Sequence, residues 1–399
     1  MAVLGGVAGL IQVRWINPDV FGEFRKYGIL TAYFNIGLVL VHDGLSRQFC
    51  YLSGKGDRNS ALQTAAVAKW WYLTIAFLFS AIFLWLALNS LWKLDYRAAG
   101  GWCTQIPCVW TAIYGAYLGV MYRTSLDFRR LSINNVIVSI IGFFSLGLVK
   151  LWGFWGLLIR LLLQNNINLF INRRYVPVRV KAIFDFSKLL ALAKISVPLA
   201  LPGYINTSFL SATMSYAVLH YCGQSALGVY AIATTFQAMA MTFNAALDQI
   251  FTTKLTCRFG VTDDIFSCLK YSKIPTLLSI VVAASLAVAF SLMIGPFIRM
   301  FIPQYEAAIP VIQVLAINLP ISAAGLPLTL LRSALWYKSI TFLMIIRCLA
   351  CLIAVVLLPK TATFVAASLV LGEFCALIAG FGILTWAYHR RIEIEANRL

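Results

Sequence analysis

An all-α polytopic membrane protein with twelve transmembrane helices is the fold class this sequence predicts, and three observations carry it. Of the 399 residues, 61% are hydrophobic and 12% are charged, where a soluble domain runs nearer half and a quarter. The apolar residues fall in runs long enough to cross a ~30 Å hydrocarbon core as helices, about 20 residues each. The connections between runs are short, and alternate ones are rich in Lys and Arg. A mean hydropathy of +0.84 agrees. This balance excludes a soluble enzyme, a disordered chain and a small secreted scaffold. The net charge of +18 does not point to nucleic acid, because the cations are scattered in short loops. In such loops they fix the cytoplasmic face.

Taken in order, charged residues or Gly/Pro turns bound runs at 1–13, 27–49, 65–90, 101–122, 131–149, 151–172, 193–221, 229–253, 274–299, 307–331, 338–358 and 362–388. The first, MAVLGGVAGLIQV, has no basic segment ahead of it and is not a signal peptide. Its thirteen residues reach about 20 Å at the helical rise, so a first helix lacking its beginning is expected. Lys93 and Asp95 separate the third and fourth runs, and Lys150 the fifth and sixth. Gly223 and Gly228 separate the seventh and eighth, and Pro359 and Lys360 the last two. No connection is long enough for a domain outside the membrane.

With a cytoplasmic N-terminus, the inner connections and the C-terminus carry 21 of the 32 Lys and Arg and the outer connections 8. Lys69, Arg160 and Arg347 lie inside helices. The positive-inside rule then puts both termini in the cytoplasm. The densest basic stretch, NRRYVPVRVKAIFDFSKLLALAK at 172–194, sits at the middle of the chain. It divides an N-terminal six-helix bundle, 1–172, from a C-terminal one, 193–388, with a cytoplasmic tail at 389–399. The linker, 173–192, reads either as an amphipathic segment or as a solvated loop. In the first case Phe184, Leu189 and Leu190 rest on the headgroup layer while Lys181 and Lys188 face phosphates. A weak repeat supports two halves: Gly22 is followed after 21 residues by Asp43, and Gly228 after 20 by Asp248. A copy displaced by six helices keeps its orientation, which implies parallel repeats.

Several short segments then carry a resemblance. They are Arg14-Trp15-Ile16-Asn17-Pro18-Asp19-Val20-Phe21-Gly22-Glu23-Phe24, Asp43-Gly44-Leu45 with Arg47, Ala226-Leu227-Gly228-Val229-Tyr230, and Phe301-Ile302-Pro303-Gln304-Tyr305-Glu306-Ala307-Ala308. In order and spacing the chain resembles the polysaccharide (Wzx-type) flippases of the multidrug/oligosaccharidyl-lipid/polysaccharide (MOP) exporter superfamily. Asp19 stands where that family more often has Glu, and a Leu is missing between Asp43 and Gly44. The resemblance implies two six-helix bundles forming a V-shaped cleft, lined by the first, second, seventh and eighth helices. It implies a multi-pass protein of a bacterial inner membrane that turns over an undecaprenyl-pyrophosphate-linked oligosaccharide, such as an O-antigen, capsule or exopolysaccharide repeat unit, by alternating access. The partners it implies are that glycan, membrane lipids, a glycan polymerase and a chain-length regulator, with no nucleic acid. A drug antiporter of the same superfamily is the alternative. A membrane-embedded glycosyltransferase or polymerase is a third reading, against which stands the lack of a sizeable catalytic loop.

Such a transporter makes and breaks no bonds. It needs cations for a diphosphate and polar or aromatic groups for sugars, because burying charges or hydroxyls unpaired in hydrocarbon is costly. Charged groups within helices cost about 2.5–3.5 kcal/mol on insertion scales and so mark candidate sites. Asp43 and Arg47, four apart on the second helix, share a face. Either Arg47 meets phosphate while Asp43 holds it, or the two form a helix-end salt bridge. Arg160, about 13 Å deep in the sixth helix, is a candidate anion contact or a structural arginine. Tyr33, Asn35, Asn206 and Tyr216 are candidates for sugar contacts, and Gln237 and Asn244 for the cleft wall on the eighth helix. Asp248 is the candidate for H+ or Na+ coupling. Arg347 and Glu373 fall at one depth on consecutive antiparallel helices and read as a structural ion pair. Pro198 and Pro202 mark a hinge or static kink in the seventh helix; Pro310, Pro320 and Pro327 invite the same reading in the tenth.

Other motifs fail. Ser53-Gly54-Lys55-Gly56 lacks the first Gly and the final Ser or Thr of a phosphate loop. The CxxC at Cys348 and Cys351 lies within an apolar run, and His42, His220 and His389 are far apart, so no metal or cofactor is expected. The nine cysteines read as small hydrophobes; the alternative for Cys103 and Cys108 is a disulfide near the outer face.

Overall fold

A computed structural model describes residues 2–262, 265–329, 331 and 336–396, with the side chains of 2–7, 243, 246–250, 252–268 and 387–396 outside the described set. Helices are the only regular secondary structure among the described residues, without a strand. The chain divides into two compact units, Met1–Tyr216 and Ala217–Leu399.

The first unit holds α1 (Ala2–Arg14), α2 (Pro18–Phe34), α3 (Ile36–Val39), α4 (His42–Gly54), α5 (Arg58–Trp92), α6 (Tyr96–Thr124), α7 (Phe128–Phe144), α8 (Leu146–Arg174) and α9 (Phe186–Tyr204). A π-helical turn, Ile205–Phe209, then leads into α10 (Leu210–Thr262). The second predicted span is thus three helices in series, α2 to α4. The fifth and sixth meet at Gly153, whose φ of 52° leaves the helix. There the chain doubles back: a side chain at Gly156 would meet the Leu148 carbonyl, and Arg160 Nε donates to the Gly142 carbonyl at 3.1 Å. Lys150 is three residues off as the divider because a reversal needs a left-handed residue more than it needs a charge.

Three reversals share one chemistry. Gly56, Leu94 and Leu126 adopt positive φ, and each is followed by an aspartate. The amides of Asp57, Asp95 and Asp127 bond back to Leu52, Ser90 and Tyr122, closing the preceding helix. Their carboxylates accept from the amides of Ser60, Ala98 and Arg130, capping the next. Asp185 caps α9 through the Lys188 amide in the same way.

The core of the unit lies along α5, where Ala61, Ala65, Ala68, Tyr72, Ala76 and Phe83 are fully buried. The small residues allow α6 close; from it Val109, Ile113, Tyr117 and Met121 pack into the same cluster. The residues assigned to opposite membrane faces gather at opposite ends. At one end Arg97 pairs with Glu23 at 3.5 Å and lies over Phe154, and Lys150 lies over Trp15. At the other, Lys69 donates to the Val180 carbonyl at 2.7 Å and Lys188 to Gln63 at 2.6 Å.

The linker is extended from 176 to 185 and lies along α5. The Ile183 amide bonds the Ala66 carbonyl and Phe184 packs on Trp70. Leu189 is buried in the core rather than laid on a surface, while Leu190 is exposed. Since α9 packs on α3 and α4, the division between compact units falls one helix beyond the linker.

The second unit comprises α10 beyond Ala217, α11 (Ile265–Phe301), α12 (Ala308–Ala316), α13 (Asn318–Ala324), α14 (Tyr337–Leu357) and α15 (Ala362–Ala396). Within α10 the backbone leaves helical conformation at Gly223, φ 89°, which ends the seventh predicted span and starts the eighth. The tenth span is broken between α12 and α13 at Ile317, three residues before Pro320. All twelve apolar runs are therefore helical rods in the described residues. By length and hydropathy alone, seven helical stretches suffice to cross a membrane. The short α1, α7 and α12–α13 fall outside that test, as does α6, which carries Thr104, Gln105 and Thr111.

Candidate functional site

The breaks in the second and seventh spans face each other within the first unit. Near one end, Gly44 on α4 lies so close to α9 that a Cβ there would come within 2.8 Å of the Leu192 carbonyl and 2.9 Å of Ser196 Cβ. Further along, Tyr204 donates to the Tyr33 carbonyl at 3.0 Å, and Asn35 Nδ2 to Ser208 Oγ at 3.3 Å. Thr213 gives its proton to the Phe209 carbonyl, so the Tyr33 hydroxyl donates to Thr213 Oγ1 at 2.9 Å. The Tyr33 ring meets Phe209 edge-on at 5.8 Å.

Local sequence explains why both helices open here. Pro198 and Pro202, one turn apart in α9, remove two amide donors. The turn Ile205–Phe209 then widens to π geometry, a distortion that often marks functional positions. On the other side no proline acts. The helix lapses at Asn35 and again at Leu40 and Val41, where φ and ψ of Val41 are −135° and −19°. Side chains from α5 satisfy the interruption: Trp71 Nε1 donates to the Gly37 carbonyl at 2.9 Å, and Tyr72 shares a 3.0 Å hydrogen bond with His42 Nδ1. The junction thus presents hydroxyls, amides and aromatic rings held by neutral hydrogen bonds, each worth about 0.5–1.5 kcal/mol net.

Of the candidates named from sequence, Tyr33, Asn35 and Asn206 converge here, Asn206 half-buried in the π turn and Tyr216 exposed further along α10. Tyr204, Ser208 and Thr213 complete the site; sequence reasoning had no signal for Ser208 and Thr213, whose role comes from the π turn itself. Asp43 and Arg47 do not pair. The ion pairs among the described residues are Arg97–Glu23, Arg130–Asp127, Lys188–Asp185, Arg299–Glu306 and Arg347–Glu373. Arg47 is exposed and Asp43 half-buried beside His42.

Arg160 lies away from the junction. Its guanidinium donates to the Gly142 carbonyl and to Gln12 Oε1, joining α8 to α7 and α1. In the second unit, Asn244 is buried and donates to the Leu319 carbonyl at 2.9 Å. It ties α10 to α13 instead of lining an open surface, and Gln237 is half-exposed a helical stretch earlier. The side chain of Asp248 lies outside the described residues. Arg347 and Glu373 form an ion pair, and Gly372 beside it lets α14 and α15 touch: a Cβ there would meet Cys351 and stand 2.8 Å from the Arg347 carbonyl. Cys103 and Cys108 are free thiols. Among the described residues no three His, Cys, Asp or Glu side chains gather to hold a metal ion.

Seven helical stretches long and apolar enough to cross a membrane mark a polytopic membrane protein. The fold is similar to that of an inward-facing multidrug resistance MATE family transporter of the MOP superfamily, with a TM-score of 0.73 at 15% identity over 99% of this chain and 96% of that one. It is also similar to the lipid II flippase MurJ in an inward closed conformation, with a TM-score of 0.71 at 13% identity over 96% and 85%. A MOP superfamily transporter from Pyrococcus furiosus matches with a TM-score of 0.61 at 14% identity over 97% and 92%. No curated protein matches the sequence. The profile of the polysaccharide biosynthesis protein family matches residues 13–258, and the chain belongs to that family.

Proposed function

We propose that this protein is a flippase for an undecaprenyl-pyrophosphate-linked oligosaccharide. It moves an O-antigen, capsule or exopolysaccharide repeat unit from the cytoplasmic to the periplasmic leaflet of a bacterial inner membrane by alternating access, with both termini in the cytoplasm. Family membership across 13–258 carries this reading; the MATE-like fold by itself serves a drug antiporter equally well. The chemistry of the junction supports it. Tyr33, Asn35, Asn206 and Tyr216 offer neutral donors, acceptors and rings suited to sugar hydroxyls, with no carboxylate among them to attract a cationic drug.

In this reading Arg47, exposed and unpaired, meets the diphosphate on the cytoplasmic side near Asp43. Gln237 is a further contact for the glycan, and Pro198 and Pro202 form the hinge. Asp248 couples the cycle to an H+ or Na+ gradient. A glycan polymerase and a chain-length regulator take the product onward.

Removing the gene from its host is expected to abolish the surface glycan and to leave lipid-linked repeat units accumulating toward the cytoplasm. Wild-type protein restores the glycan, and the Asn35→Ala/Arg47→Ala variant does not. A host that keeps its glycan and becomes sensitive to cationic drugs would make the protein a drug antiporter instead.

A further inference from the structure

A second polar feature of the first unit lies apart from the junction. Between the ends of α5, α6 and α8 and the extended linker is a cavity of about 430 Å3, lined by Lys69, Tyr114, Tyr117, Leu118, Phe170, Arg173, Arg174, Arg179 and the linker valines. That volume lies within the usual range for small-ligand sites, about 300–1,000 Å3. Four of its lining residues are cations and none is an acid.

The four cations divide in two. Lys69 donates to the Val180 carbonyl at 2.7 Å, and Arg179 to the Arg174 carbonyl at 2.7 Å. These two tie the linker across the cavity. Arg173 and Arg174, in the last turn of α8, are exposed and hold neither a carboxylate nor a carbonyl.

The wall between them is aromatic: Tyr114 and Tyr117 stack at 5.7 Å.

Depth narrows the ligand. The 35 residues of α5 span about 52 Å against a hydrocarbon core of ~30 Å. Lys69 is eleven residues from the start of α5, about 16 Å along it, roughly 5 Å past the level at which a centred helix of that length enters the hydrocarbon core, a depth from which a lysine reaches back to the headgroups. Phe170, Val176, Val178 and Val180 add an apolar rim.

We propose that this cavity binds the phosphodiester headgroup of an anionic phospholipid, with Arg173 and Arg174 on the phosphate and the acyl chains against the Phe170 and valine rim. Basic pockets between transmembrane helices at the cytoplasmic side are suited to such headgroups. The bound lipid seals the linker against α5 and α8. This site is independent of what the junction carries, since its ligand belongs to the bilayer and not to the cargo.

The test is a thermal-unfolding titration of the full-length protein in neutral detergent. The probes are short-chain phosphatidylglycerol, short-chain phosphatidylcholine and inorganic phosphate. Phosphatidylglycerol is expected to raise the unfolding temperature saturably, and the other two are not. Arg173→Gln/Arg174→Gln, both at exposed positions, should weaken the response about thirty-fold. A double variant that responds like wild type would overturn the site. Saturation by inorganic phosphate at lower concentration than by phosphatidylglycerol would overturn the lipid assignment in favour of a soluble anion.

Discussion

Two polar contacts between helices, one in each unit, are built on opposite principles. Between α2–α4 and α9 with its π turn, broken helices meet through neutral hydrogen bonds among Tyr33, Asn35, Tyr204, Ser208 and Thr213. Between α14 and α15, unbroken helices meet through one ion pair, Arg347–Glu373, beside the close approach at Gly372. Neutral bonds of about 0.5–1.5 kcal/mol are readily exchanged for bonds to a passing hydroxyl. A largely desolvated ion pair is not, because separating it strands two charges. The first arrangement suits a path and a hinge, the second a fixed strut.

Several substitutions would break or sharpen that contrast. The largest effect is expected at the strut: Glu373→Ala removes the carboxylate that pairs with the Arg347 guanidinium, at a loss of about 3–5 kcal/mol. Folded yield from membranes should fall sharply, and Arg347→Met in the same chain should restore part of it. Wild-type yield for both single variants would show that the pair carries no structural weight. Next comes Gly44→Leu, which forces a side chain against the Leu192 carbonyl and Ser196. Overpacking of this kind costs about 1–3 kcal/mol. Here it should prise α4 from α9, with glycan export falling at least ten-fold while the unfolding temperature drops by only a few degrees.

Tyr33→Phe is milder for stability. It removes one hydrogen bond to Thr213, about 1 kcal/mol, but should lower transport several-fold. A stability loss as large as that of Glu373→Ala would erase the distinction between path and strut. Smallest, and of opposite sign, is Leu126→Gly. Leu126 has φ 57° and is 77% exposed, so the change relieves a left-handed leucine without losing burial. It should raise stability by about 1 kcal/mol, read as a higher unfolding temperature.

The rods were legible in the sequence because an apolar run of spanning length has few other uses. The Arg347–Glu373 pairing was legible because helical rise converts position into depth. The junction was only half legible. Pro198 and Pro202 flagged the seventh helix, but the second opens at Asn35 and Val41 without a proline, held open by Trp71 and Tyr72 from α5. Such partners are tertiary and leave no local mark.

Asn244 shows the same gap from the other side. A polar residue within an apolar helix reads alike whether it faces water or a carbonyl of a neighbouring helix, and the carbonyl that Asn244 meets, that of Leu319, lies 75 residues away. The aspartates at 57, 95 and 127 carried a local signal, a left-handed residue followed by a cap, that hydropathy reading passes over.

The central claim is that a lipid-linked glycan crosses by way of the opened helices. Its most direct test is the initial rate at which purified protein in liposomes transfers a fluorescent undecaprenyl-diphosphate oligosaccharide between leaflets. Wild-type protein should transfer it, and Asn35→Ala/Asn206→Ala, with unchanged thermal unfolding, should do so at least ten-fold more slowly. Equal rates for the two proteins, or no transfer by wild type while it exports a cationic dye from the same liposomes, would contradict the account.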